Sequence, residues 1–403
     1  MSLSVTLPDV IAARQALHGV IHKTDLVPSR VLSDEGREIF LKSESLQQTG
    51  SFKVRGAYVK IAGLSPEERA RGVIASSAGN HAQGVALAAR SFGVPATIVM
   101  PEGAPLAKVT ATRALGAKVV LHGTVYDDAY KHAMALQQEL GAVFIHPFDD
   151  PLVIAGQGSI GLEILEDLPD VDTIVVPVGG GGLIAGIAVA AKAMRPKVRV
   201  VGVEAAGAAC MGASVRADKL VTLTRAATIA DGIAVKTPGE RTFAICRALV
   251  DELVTVDDDE IAQTILFLME RCKIITEGAG AAPVAAIMGN KFHCGGKVVA
   301  ILSGGNIDVT LLSNIIDKGL LKAGRRVKIR TVIEDKPGSL SRLLRIISDC
   351  EANVVSIQHD RAHLEAGIGY AMMELALETQ DRDHVGRLLE AMEHHGLRPK
   401  INI

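Results

Sequence analysis

From about residue 70 the chain alternates short apolar runs with longer helical patterns, and this alternation restricts the fold more than any other feature. "GVIAS" reads as a strand and "NHAQGVALAARSFG" as a helix closed by Gly93. "ATIVM", "AKVVLHG" and "AVFIHP" read as strands, separated by the helices "PLAKVTATRALG" and "VYDDAYKHAMALQQELG". A helix near 152–166 precedes the strand "DTIVVPV", a glycine loop and a further helix; "RVVGVEA" and "KVVAILSGG" follow as strands. Strands separated by whole helices imply parallel βαβ units, so the expected class is α/β with open parallel sheets. Glycines at the ends of the helical patterns fit C-caps.

The pattern changes near Arg325. The segment from "RRVKIRTVIEDKPGSL" to "LRPKINI" reads strand, helix, strand, strand, helix, strand. That order is the split βαβ or ferredoxin-like unit, small enough to be a separate α+β domain. The expected division is a first domain over 1–322 and a second over 326–403, with "DVTLLSNIIDKGLLKAG" as connector.

Composition excludes several classes of function. A formal net charge of -2 leaves no basic excess to neutralise phosphates, so nucleic acid is not an expected partner. The five cysteines are scattered, odd in number and without a Cys-x-x-Cys pair, which reads as reduced thiols in a cytoplasm. The N-terminal "MSLSVTLPDVIAARQALHGV" lacks the basic start and apolar centre of a signal peptide. The most apolar stretch, "GGGGLIAGIAVAAKAM", is too short and interrupted to span a bilayer.

Three strand-to-helix junctions carry chemistry. In "TIVVPVGGGGLIAGIAVAAKA", Gly179, Gly180, Gly181 and Gly182 lie between a buried strand and a helix. Adjacent glycines leave their amides uncovered and the helix N-terminus adds positive potential, which together suit a phosphate. The bland reading is a flexible loop or tight helix–strand packing. The spacing is neither that of a dinucleotide motif nor that of a P-loop. In "ASSAGNHAQGVALAA", Ser76, Ser77, Asn80 and His81 stand where amides and side chains can grip a carboxylate; a plain N-cap is the alternative. "AILSGGNIDV" is a third strand end, with Ser303 and two glycines, and could be a simple turn. Open α/β sheets bind ligands at the C-terminal ends of their strands, so the three turns carry more weight together than singly. With them, Lys53 in "TGSFKVRGAYVK" becomes intelligible. A phosphate nest, a carboxylate loop and a lysine are what a pyridoxal-phosphate enzyme acting on amino acids needs, although a lone lysine is ordinarily just a solvated charge.

"ESLQQTGSFKVRGA", "SSAGNHAQG", "PVGGGGL" and "LSGGN" resemble the fold-type-II pyridoxal-phosphate enzymes, and with "TIADGIAV" and "EGAGAA" the threonine dehydratases among them. The likeness covers roughly residues 10–320. It implies two open parallel-sheet subdomains of the tryptophan synthase β type, the smaller, mobile one at about 42–148. "EDKPGSL" and "ANVVSI" resemble an ACT regulatory domain. Carried onto this sequence, the likeness makes Lys53 the Schiff-base lysine and the base for the substrate's α-proton. Phe52 would flank the cofactor ring and Asn80 would bond its ring oxygen. Ser77 and His81 would help hold the carboxylate, and Gly179 to Gly182 with Leu183 the phosphate. Gly232 and Glu277 would line the pocket and Ser303 would face the pyridine nitrogen. The implied reaction converts threonine, or serine, to a 2-oxo acid and ammonia. An amino-acid effector, isoleucine or valine first, would use Asp335, Pro337, Gly338 and Asn353. The expected assembly is a homodimer or homotetramer.

Relatives such as serine racemase hold a divalent cation with residues that correspond here to Glu204, Ala208 and Cys210. Losing a hard oxygen ligand disfavours Mg²⁺ or Ca²⁺ and leaves a monovalent ion or no ion, with Glu204 either a ligand to it or simply a solvated strand-end acid. The alternatives to a threonine dehydratase are a serine racemase or hydroxyaspartate dehydratase of the same fold, or an amino-acid sensor with a dead site. The racemases' re-protonating serine corresponds here to Ala78, whose methyl group cannot donate a proton.

Overall fold

Strand Thr173–Pro177 is buried along its whole length, as a parallel strand covered by helices on both faces must be. It lies inside a six-stranded sheet ordered Leu26–Pro28, Arg37–Lys42, Gly296–Ile301, Thr173–Pro177, Arg199–Ala205, Glu252–Val256. Every neighbouring pair is parallel except the first. A second sheet, ordered Lys118–Leu121, Ala96–Met100, Val73–Ser76, Val143–Phe144, is parallel throughout. The apolar runs read as strands from residue 72 onward are strands, though "AVFIHP" pairs only at Val143 and Phe144. Strands Leu26–Pro28 and Glu252–Val256, the two edges of the first sheet, and Arg37–Lys42 next to the first of them were not among those runs.

The computed structural model describes residues 3–402 and divides into two units, Met1–Asp308 and Val309–Ile403. In the second unit, Arg326–Glu334, Ser339–Asp349, Asn353–Asp360, Tyr370–Glu378, Arg382–His394 and Lys400–Ile401 follow the predicted order of strands and helices. Its sheet is antiparallel throughout, ordered 353–360, 370–378, 326–334, 400–401, the ferredoxin-like arrangement. Leu343 and Ile347 from one helix and Leu388 and Met392 from the other form a core with Ile329, Leu375 and Leu377 of the strands. Helix Val309–Lys322 falls in this unit. Among the described residues, no helix is long and apolar enough to cross a membrane.

Chain topology fixes where a ligand can sit in the first unit. Thr173–Pro177 is followed by strands on one side of it, while Gly296–Ile301 flanks it on the other. This is a switch point, where connections diverge and leave a crevice at the strands' C-terminal ends. The residues emerging there are Gly179–Gly182 and Ser303. The second sheet has the same feature at Val73–Ser76 and Val143–Phe144, whose C-terminal ends carry 77–80 and 145–149.

Helix Lys53–Ala62 is held at the site by two devices. It meets helix Pro151–Asp167 with no room for side chains: a Cβ added to Gly156 would lie 2.7 Å from the Cα of Gly56. Beside that contact lies a group of charges cut off from solvent. Arg55 donates to both oxygens of Glu44 at 2.7 and 2.8 Å, and to both of Glu163 at 2.6 and 3.0 Å. Lys42 pairs with Glu163 at 2.7 Å. Arg55, Lys42 and Glu44 are 0% exposed and Glu163 is 5% exposed, so two cations and two anions neutralise one another in the interior. Buried charges persist only when paired and hydrogen-bonded.

Candidate active site

Lys53 is the first residue of its helix. Its Nζ lies 5.1 Å from the centre of the Phe52 ring and donates a hydrogen bond to the carbonyl of Pro147 at 3.0 Å. Desolvation by the surrounding protein lowers the amine's pKa to about 8, partly offset by attraction to Glu277. The Phe52 amide donates to the carbonyl of Ser303 at 3.2 Å, and Ser51 bridges Gly304. The lysine is thereby tied to the third strand end named from sequence, and Ser303 itself is buried.

Asn80 opens helix Asn80–Ser91, and its side chain links three parts of the site. Its Nδ2 donates to Glu277 Oε1 at 2.6 Å, and its Oδ1 accepts from Asn306 Nδ2 at 2.7 Å. Asn306 also donates to the carbonyl of Thr49 at 2.7 Å. Burial raises the Glu277 pKa to about 7; Asp231 adds to the rise, and the Asn80 bond, Lys108 and Lys53 oppose it. A Cβ on Gly232 would lie 3.2 Å from Glu277 Oε1, so Gly232 adjoins that carboxyl as the likeness implied. His81 is buried and bonds the carbonyl of Ile145 at 2.8 Å. A carbonyl only accepts, so Nε2 carries the proton; burial, with repulsion from Lys53, lowers the pKa to about 3 and keeps the ring neutral. Ser77 Oγ accepts the Gly79 amide at 3.2 Å and closes the turn before the helix.

The glycine loop is buried and side-chainless where space is shortest. A Cβ on Gly180 would lie 2.4 Å from the Phe148 ring, and one on Gly182 would lie 2.9 Å from Phe148 Cα. Gly181 adopts φ +93°, open to glycine at little cost. Helix Gly182–Met194 has no side-chain cap, its first-turn amides have no intrahelical acceptor, and Leu183 is buried in that turn. Pro147, which holds Lys53, directly precedes Phe148, which covers the loop. The structure therefore brings together Lys53, Phe52, Asn80, His81, Glu277, Gly232, Ser303 and the glycine loop, and it adds the segment 145–149. Sequence reading took that segment only as a strand end; its one signal was the polar "HPFDD" directly after the strand.

Two expectations are corrected. Glu204 is not a solvated acid: it is 1% exposed, and its oxygens accept the amides of Met211 and Gly212 at 2.7 and 2.8 Å. It caps helix Cys210–Ala217, and burial raises its pKa to about 7. In the second unit, Asp335 faces Arg361 at 3.1 Å and Gly338 caps helix Ser339–Asp349, but Asn353 stands elsewhere. Glu334 pairs with Tyr370, whereas Asn353 pairs with Glu378, which in turn faces Arg326. The antiparallel register thus puts Asn353 at the other end of the sheet, roughly 27 Å away at strand rise. One pocket within one chain cannot hold Asn353 together with Asp335, Pro337 and Gly338.

The residues present fit pyridoxal phosphate. A buried amine of lowered pKa can take up an aldehyde, and a side-chainless loop ahead of an uncapped helix can take a phosphate. Comparison with known proteins agrees. Residues 17–304 match the family model described as pyridoxal-phosphate dependent enzyme. The chain is 55% identical over 399 residues to the L-threonine ammonia-lyase of Thermotoga maritima, covering 98% of this chain and 99% of that one. Among solved structures it is similar to the processed form of threonine deaminase isoform 2 from Solanum lycopersicum, with TM-score 0.74, 42% identity and coverage of 77% and 86%. Maize serine racemase also has TM-score 0.74, at 35% identity and coverage of 79% and 99%. A family match across most of the chain, meeting the crevice that holds Lys53 and the glycine loop, establishes that the chain belongs to the pyridoxal-phosphate dependent enzymes.

Proposed function

We propose that this protein is a threonine ammonia-lyase, converting L-threonine to 2-oxobutyrate and ammonia and L-serine to pyruvate more slowly. The observation that carries the reading is the Lys53 amine, desolvated to a pKa of about 8 and held one residue from the ring that covers the glycine loop. Bound pyridoxal phosphate supplies an aldehyde that takes up amines and a conjugated ring that acidifies the substrate's α C–H. The protein's residues do the rest. Lys53 Nζ, neutral in an appreciable fraction near pH 7–8, removes the α-proton. The N-terminus of helix Asn80–Ser91, with Ser77 and neutral His81 beside it, holds the carboxylate without placing a second cation against Lys53. Asn80 Nδ2 keeps one hydrogen beyond its bond to Glu277 for the ring oxygen. Gly179–Gly182 and Leu183 hold the phosphate. Incubation with threonine, serine and hydroxyaspartate, with keto acid as the readout, tests the reading. Fastest release from threonine by a yellow protein that borohydride bleaches is expected; no release from any of the three would sink it.

Maize serine racemase among the structural relatives makes racemisation the second reading, and Ala78 speaks against it. Ala78 is packed against the core of the smaller lobe and carries no proton to donate, while Ser77 is engaged in its own turn. Negligible D-serine is expected beside pyruvate in a serine reaction, and Ala78→Ser is expected to raise it. Chiral chromatography showing D-serine formed as fast as pyruvate by the unaltered protein would refute this.

The second unit is read as an ACT regulatory domain whose effector carboxylate meets the Asp335–Gly338 turn and the first turn of helix Ser339–Asp349. Calorimetry with isoleucine and valine should show heat in the full chain and none after removal of the residues beyond Asp308, with catalysis retained. Absence of heat with either amino acid at saturation would count against this regulation. Free thiols at every described cysteine suit a cytoplasmic location. Exposed apolar side chains such as Leu46 and Leu106 support a homodimer or homotetramer, to be read by sedimentation.

A further inference from the structure

Two helices begin beside the glycine loop, and they are treated differently. Helix Gly182–Met194 has no side-chain cap. Helix Glu240–Leu249 has its first amides occupied: Asp149 Oδ1 accepts from Arg241 at 3.0 Å and from Thr242 at 3.1 Å. Asp149 fits there only because residue 239 is glycine, whose added Cβ would lie 2.3 Å from the carboxylate. Asp149 itself is fixed by its amide, which donates to His146 Nδ1 at 2.8 Å.

The capped helix presents one buried group to the loop. Thr242 is 0% exposed, and its Oγ1 donates to the carbonyl of Gly180 at 2.6 Å. The same side chain packs on the next residue, since a Cβ on Gly181 would lie 2.9 Å from Thr242 Cβ. In a trans peptide the C=O of one residue and the N–H of the next lie in one plane and point in opposite directions. The Gly180–Gly181 peptide is trans. Fixing the Gly180 carbonyl on Thr242 therefore turns the Gly181 N–H away from helix Glu240–Leu249.

We infer that Thr242, held in place by Asp149, is a positioning residue that aims the Gly181 amide and so sets the loop's affinity for the cofactor's phosphate. This rests on the phosphate role proposed above for the glycine loop. Without the hydroxyl, the Gly180 carbonyl keeps only the longer bond from the Gly239 amide, at 3.4 Å, so the peptide is held less firmly and the Gly181 amide is aimed less sharply when phosphate arrives. The segment 147–149 acquires a single purpose in this arrangement. Pro147 holds the amine that meets the aldehyde end of the cofactor, and Asp149 holds the residue that orders its phosphate end.

The test compares pyridoxal phosphate with pyridoxal, which lacks the phosphate, in absorbance titrations of apoprotein. Thr242→Val keeps the shape and removes the donor; Thr242→Ser keeps the donor. Thr242→Val is expected to weaken pyridoxal phosphate about tenfold, the size of one lost buried hydrogen bond, and to leave pyridoxal unchanged. Thr242→Ser is expected to bind both as the unaltered protein does. If Thr242→Val fails to fold, Asp149→Asn, which keeps an acceptor oxygen but loses the charge, is expected to show a smaller loss confined to pyridoxal phosphate. Unchanged affinity in Thr242→Val, or equal losses for both probes, would overturn the inference. An unaltered protein that takes up pyridoxal but gains nothing from the phosphate would overturn the loop's phosphate role itself.

Discussion

Lys53→Ala is expected to lose at least about 10³-fold in threonine deamination, because one amine serves both as covalent anchor and as base and each role contributes a large factor. The fold should persist, since the amine makes one hydrogen bond, to Pro147, and the helix it opens is held by Gly56, Gly156 and Arg55. Circular dichroism should match the parent protein while keto-acid release falls to background. The unaltered protein offers a companion test. Only the neutral amine attacks an aldehyde, and its pKa is lowered to about 8 from the usual 10.5. Cofactor uptake by apoprotein should therefore quicken with pH up to about 8 and level off above it. Near-normal turnover by the alanine variant, or uptake still rising steeply past pH 10, would remove Lys53 from the mechanism.

Arg55→Ala is expected to be the most destabilising single change in the first unit, by about 3–5 kcal/mol. It leaves Glu44 and Glu163 facing Lys42 alone in an interior where Arg55, Lys42 and Glu44 are fully buried, one net negative charge uncompensated. An exposed pair gives the contrast. Asp170 and Lys297 are 64% and 30% exposed, and Asp170→Ala should cost no more than about 1 kcal/mol. Urea denaturation of the two variants, followed by circular dichroism, decides. Equal midpoints would show that the buried group adds nothing beyond what a surface pair adds.

The network shows where sequence reading stopped. Glu163 stands in "GLEILEDLPD" much as any solvated helix acid would, and Arg55 reads as one of many arginines. Only the crossing of two helices at Gly56 and Gly156, with strand Arg37–Lys42 alongside, brings the four charges together. The same limit hid that strand: besides the short Leu26–Pro28, its partner in the sheet is Gly296–Ile301, more than half the chain away. Asp149 and Thr242 were illegible for the same reason, being nearly 100 residues apart. The misplacement of Asn353 came from treating nearness in a motif as nearness in space, which the antiparallel register reversed.

What the sequence determined by itself was everything encoded locally. Apolar runs separated by helical patterns gave parallel strands, because period and length are properties of a single segment. Glycines at a strand end marked the loop, because only residues without Cβ can leave so many amides bare. Strand order, the switch point, the burial that brings Lys53 to a pKa of about 8 and Glu277 up to about 7, and the bond from Thr242 to Gly180 were decided by tertiary structure alone. Each depends on which segments meet and how much water they exclude, and neither is a property of any one segment.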